Sequence, residues 1–167
     1  SHYRSPLNYS EANLARARAA LDGLYTALRG VPAGAESDPD ALARFQAAMD
    51  EDFNTAQALA ALKAVAGELN RAKEAGDAER AGALAAALRT AGGVLGIAVQ
   101  DPTAWFQAAS EDTGAGLDAA AIEALIEARK AARRDKDWAA ADRIRDELVD
   151  AGIVLEDGPA GTTWKRA

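Results

Sequence analysis

The sequence contains no cysteine. No disulfide can brace the fold, no thiolate can act as a nucleophile, and no cysteine-based zinc site can form. Histidine is nearly as scarce: His2 is the single one. A Ser–His–Asp relay or a His-rich metal site would have to rest on it, so His2 is read as a surface residue without a catalytic role. Carboxylates are plentiful, but no two are placed by the sequence in an apolar setting, and no general acid–base pair is nominated. No apolar run approaches bilayer-spanning length. The opening "SHYRSPLNYS" lacks the basic start and apolar centre of a signal peptide. A cytoplasmic protein with no membrane partner is the expectation.

What is present is acid, alanine and helical periodicity. There are 26 acidic residues against 19 Lys and Arg in 167 residues, a net charge of −7. Hydrophobic residues make up 49%, enough for a core. The charge is uneven. From Arg129 to Arg145 there are seven bases and three acids, +4 locally, which leaves −11 for the rest. An acidic protein is a poor indiscriminate binder of nucleic acid, but the local charge separates the C-terminal part from the body.

The spacing predicts four amphipathic helices in the first hundred residues. Ser10 caps a helix over 11–29, with Leu14, Ala17, Leu21, Leu24, Tyr25 and Leu28 on one face. Asp38-Pro39 starts a second helix, because Asp caps and Pro suits the first position. Asn54 and Gln57 have capping-box spacing before a third, whose buried face is Leu59, Leu62, Val65, Ala66 and Leu69. Gly76-Asp77 breaks it. The fourth covers 78–94, with Leu84, Leu88, Ala91 and Leu95 in register. Short connections imply an antiparallel bundle. The pattern fails over 98–117, read as a linker with Trp105-Phe106 docked. Asp118 and Asp137 then cap two more helices, and "IVLED" and "GTTWKR" read as strands around a "GPA" turn. The fold class is therefore mainly α: an antiparallel helical bundle (1–97), a linker (98–117), and a small α+β unit of two helices and a β-hairpin (118–167).

Two motifs fail inspection. "DEDFN" places Asp50, Asp52 and Asn54 like the start of a calcium loop, but Thr55 and Ala61 stand where Gly and Glu are required. "GGVLG" follows no strand and ends a helix rather than opening one. The constellation that survives is "RRDKDWAAADRIRDEL". On a helix, Trp138, Asp142 and Arg145 share a stripe about 60° wide. Ala141, Ile144, Leu148 and Ala151 lie on the adjoining, inward side. An aromatic plane stacks an unpaired base, a carboxylate accepts from base amino groups, and a guanidinium donates to base edges or phosphates. The same residues also allow a plainer reading, in which the ring seals a small core and the charges form a surface pair.

"SHYRSPLNYS", "FQAAMDEDFNTAQAL", "KDWAAADRIRDEL" and "GIVLEDGPAGTTWKR" together resemble the C-terminal region of bacterial cysteinyl-tRNA synthetases, over essentially the whole chain. Ala56 departs from the proline usual there after "NT". The resemblance implies a parent class I synthetase that joins cysteine to tRNA with ATP. Its catalytic domain would carry "HIGH" and "KMSKS" signatures and a zinc ion, none of which occurs here. This chain would be the anticodon side: a DALR-type bundle, then a domain reading the anticodon GCA. Trp138 resembles the stacking residue, Asp142 and Asp157 the carboxylates on anticodon bases, and Arg133 a base- or backbone-contacting arginine. Arg145 rests mainly on the helical stripe. No cofactor and no metal are expected in this portion. The expected partners are tRNA and the catalytic domain of the same chain, in a monomer. A stand-alone helical interaction module and a cysteine ligase acting on an amino sugar are the competing readings.

Overall fold

The structure is a computed structural model that describes residues 4, 6, 9–108, 117–158 and 161–166. His2, residues 109–116 of the expected linker, and Pro159-Ala160 of the expected turn lie outside them. The chain forms two compact units, Ser1–Pro102 and Thr103–Ala167.

The first unit holds α1 (Glu11–Leu28), α2 (Pro39–Asp50), α3 (Thr55–Glu74) and α4 (Ala78–Val94). Each begins where a polar side chain takes up an orphan amide. Ser10 accepts from the Asn13 amide, Asp38 from Ala41, Asn54 from Gln57 and Asp77 from Arg80. The capping box at α3 is a variant. Gln57 accepts from the Asn54 side-chain amide at 3.2 Å, and the Asn54 backbone amide donates to the Ala48 carbonyl instead.

The core is leucine and alanine. Leu28, Leu62, Leu69, Leu84 and Leu88 are fully buried, with Ala27, Ala58, Ala85 and Ala87 between them. Small residues let the backbones close: the Gly34 amide donates to the Gly82 carbonyl at 2.8 Å. Lys73, near the end of α3, donates to the carbonyls of Ala27 and Arg29 at 3.2 and 3.1 Å. The C-terminal ends of α1 and α3 are thus neighbours, as alternating helix directions require. Arg44 of α2 grips Glu68 of α3 with both terminal nitrogens, at 2.6 and 3.2 Å.

Two expected faces are only partly covered. Leu14 and Leu59 are 49% and 40% exposed. Periodicity identifies a face, not how far along it a neighbour reaches. The described part of the stretch 98–117, expected as a linker, includes folded structure. Ala98 is fully buried, Pro102–Gln107 form a short helix (α5), and Phe106 is 9% exposed. A six-residue helix is too short to display a helical period.

The second unit contains α6 (Ala119–Arg134), α7 (Trp138–Asp150), β1 (Ile153–Gly158) and β2 (Gly161–Arg166). The strands are antiparallel, with Gly158 opposite Gly161 and Asp157 opposite Thr162. Ile122, Ile126, Leu148, Ile153 and Trp164 form the core, all at most 2% exposed. Trp164 also donates through Nε1 to Glu123 at 2.7 Å. Arg166 lies 5.8 Å from the Trp164 ring centre and donates to the carbonyls of Gln107 (3.3 Å) and Leu117 (2.8 Å).

Candidate nucleic-acid interface

The candidate interface occupies the α6–α7 turn, the outer face of α7 and the adjacent hairpin. Helix α6 ends in a Schellman motif. The Asp137 amide donates to the Ala132 carbonyl at 2.8 Å, and the Lys136 amide donates to Arg133 at 3.2 Å. Lys136 takes the left-handed position, at φ 61°. Asp137 then caps α7 by accepting from the Ala140 amide at 3.0 Å. Trp138 is therefore the first residue of a helix whose start is fixed on both sides.

Trp138 is 60% exposed, against 2% for Trp164. The plainer expectation, a tryptophan sealing the small core, describes Trp164 and not Trp138. Ala141 and Leu148 of α7 do point inward, as the helical stripe predicts.

The nominated charges fall into two groups. On α7, Arg145 pairs with Asp142 at 3.1 Å and with Asp146 at 2.8 Å. Its guanidinium pKa is raised, chiefly by the Asp146 hydrogen bond. At the hairpin, Asp157 receives the Thr162 hydroxyl at 2.6 Å on Oδ1. Its Oδ2 faces Arg129 at 3.6 Å and Arg133 at 3.9 Å. The Thr162 hydrogen bond first, and the two guanidiniums after it, hold the Asp157 carboxyl below the usual carboxylate range. Asp157 is an ionised, oriented acceptor that remains about half exposed (54%). A groove of about 400 Å³ joins the groups, lined by Arg129, Arg145, Val154 and Asp157 among others.

Arg129 and Thr162 are members that sequence reasoning missed. Arg129 lies one turn before Arg133 on α6, with its side chain only 13% exposed. Thr162 is the cross-strand partner of Asp157. Fixing the hairpin register from its turn would have paired them. Of the nominated residues, Arg133 and Asp157 come together, and so do Asp142 and Arg145. Trp138 precedes Asp142 by four residues on α7, one helical turn. Among the described residues no group of His, Asp and Glu is arranged to hold a metal ion, and no helix is long and apolar enough to cross a membrane.

This arrangement offers an exposed ring, a fixed carboxylate and several cations on one small unit, the elements of single-stranded RNA recognition. Comparison with known proteins points the same way. Residues 44–100 match the DALR domain, and residues 116–164 match the cysteinyl-tRNA ligase anticodon binding domain. The chain is 52% identical over 168 residues to a cysteine–tRNA ligase of Pseudomonas aeruginosa, covering 100% of this chain and 36% of that protein. It is 52% identical to one from Laribacter hongkongensis (100% and 35%) and 55% identical to one from Thioalkalivibrio sulfidiphilus (99% and 36%). The chain thus spans little more than a third of the relatives it matches. With two consecutive domain matches and full-length similarity to that portion, the chain belongs to the cysteine–tRNA ligase family, as its DALR and anticodon-binding region.

Proposed function

We propose that this chain is the tRNA-binding portion of a cysteine–tRNA ligase and that its second unit reads the anticodon GCA. The observation that carries this reading is the 60% exposure of Trp138 on a doubly fixed helix start, while Trp164 closes the core. An exposed tryptophan that the fold does not need, flanked by cations, is suited to stack a splayed base. Asp157, ionised and oriented by Thr162, serves as an acceptor for a base amino group, and Asp142 as a second. Arg133 and Arg145 contact base edges or phosphates by exchanging their internal partners for RNA. Phosphate contacts position the loop, and base contacts discriminate.

In the complete protein the bundle acts as a strut between this reader and a catalytic domain that attaches cysteine to tRNA with ATP. The ATP and zinc of that chemistry belong to the portion outside this chain, and the 167 residues alone should not aminoacylate tRNA. A cytoplasmic monomer that binds tRNA fits the same reading.

The test is binding of this chain to a labelled anticodon stem-loop carrying GCA, beside single-base anticodon variants and the Trp138→Ala protein. Preference for GCA that vanishes with Trp138→Ala is the expected result. Equal, salt-sensitive binding to every stem-loop would overturn the base-reading role. Absence of binding at low salt would overturn RNA binding by this portion and favour a protein-interaction module.

A further inference from the structure

The α3–α4 and α6–α7 junctions are built by the same hydrogen bonds. In the first, the amides of Gly76 and Asp77 donate to Lys73 and Ala72, both at 3.0 Å. In the second, Lys136 and Asp137 donate to Arg133 and Ala132. Asp77 and Asp137 both cap the following helix, accepting from Arg80 and Ala140 at 3.0 Å. The left-handed residue is Gly76 in one (φ 72°) and Lys136 in the other (φ 61°). Glycine adopts that conformation without penalty, whereas a residue with a Cβ is strained. Strain of this kind persists only where the surrounding structure over-determines it, and it clusters at binding and switch regions.

Charge accounting indicates what the side chain does. Between Arg129 and Arg145, Arg129 and Arg133 face Asp157, Lys130 pairs with Glu127, Arg134 with Asp135, and Arg145 with Asp142 and Asp146. Lys136 and Arg143 have no such carboxylate among the described residues. A paired cation must give up its carboxylate before it can neutralise a phosphate; an unpaired one need not. Lys136 is exposed, and it precedes Trp138 by two residues.

We propose that Lys136 is a phosphate-contacting residue of the RNA interface, held beside Trp138 by a turn that would be more stable with glycine. This deepens the tRNA-binding reading and rests on it. The contact is sequence-independent: it anchors the backbone of the nucleotide whose base Trp138 stacks.

The experiment measures stem-loop binding by the 167-residue chain against salt for wild type, Lys136→Ala, Lys136→Gly and Lys136→Arg, with a thermal melt of each. Lys136→Ala should weaken GCA and variant stem-loops alike, by roughly 3- to 10-fold at low salt. It should also lower the slope of log K against log [salt] by about 0.7, the value for one single-strand phosphate contact. Lys136→Arg should restore both. Lys136→Gly should bind as poorly as Lys136→Ala, yet melt a few degrees above wild type. Wild type that prefers GCA while Lys136→Ala keeps the full slope would overturn this inference and leave the anticodon-reading role standing. A changed base preference with an unchanged slope would also overturn it. Wild type that binds no stem-loop would overturn both.

Discussion

The Thr162 hydroxyl donates to Asp157 Oδ1 at 2.6 Å across the hairpin, from the residue directly opposite in the ladder. This bond is the first cause of the lowered Asp157 pKa. A carboxyl whose folded pKa is depressed stabilises the fold above its unfolded pKa, and that contribution is lost as pH falls through the folded value. Thr162→Val should therefore raise the Asp157 pKa towards the ordinary aspartate range and narrow the acid window of stability. Thr162→Ser should restore it. Carbon-detected NMR titration of the Asp157 carboxyl reads this directly; an unmoved midpoint in Thr162→Val would contradict it.

Trp138 and Trp164 of the second unit should respond in opposite ways. Trp138→Ala removes an exposed ring and should change stability by no more than about 0.5 kcal/mol. Its effect should be on RNA, where loss of one stacked base costs about 1–3 kcal/mol. Trp164→Ala opens the core and strands Glu123, at about 3–5 kcal/mol. For so small a unit that is most of its stability. Denaturant melts with binding assays on both variants separate the roles.

Glycine positions in the bundle give a signed pair. Gly23 lies within α1, and a Cβ there meets nothing within 4 Å. Gly23→Ala should stabilise by about 0.5–1 kcal/mol, the helix-propensity gain. A Cβ on Gly92 would stand 2.7 Å from the Ile97 carbonyl oxygen. Gly92→Ala should cost about 1–3 kcal/mol, because backbone rather than a flexible side chain must yield. Urea midpoints decide both.

Glu68 should make the bundle acid-sensitive. Its pKa is lowered, first by the Arg44 hydrogen bond, and Arg80 adds a weaker contact at 3.7 Å. The contribution is present above the unfolded glutamate pKa and lost as pH falls through the folded value. Glu68→Gln should flatten the low-pH limb of a stability profile followed at a bundle probe such as Tyr25. A profile as steep as wild type would place the acid sensitivity elsewhere.

Helix starts were legible because one side chain decides each. Ser10, Asp38, Asn54, Asp118 and Asp137 cap where the sequence places them, and Asp77, expected only as part of a helix break, caps α4 as well. The α7 stripe was legible because period and burial agree at Ala141 and Leu148. Coverage of a face was not: Leu14 and Leu59 have the right spacing and stay partly exposed. Nor was the environment of Asp157, since Thr162 and Arg129 reach it through strand register and helix–hairpin packing. A one-residue slip in the hairpin would send Thr162 to the other face. The exposure of Trp138 depended on which of two nearby tryptophans the core takes, and only packing chooses between them.

The Arg166 guanidinium has one more consequence. By donating to both the Gln107 and Leu117 carbonyls it fixes the two ends of the stretch that joins them. Loop-closure entropy rises only slowly with length, so once its ends are pinned such a stretch can be lengthened with little penalty. An insertion between these two anchors should therefore cost the second unit little stability, which a thermal melt of the lengthened protein reads.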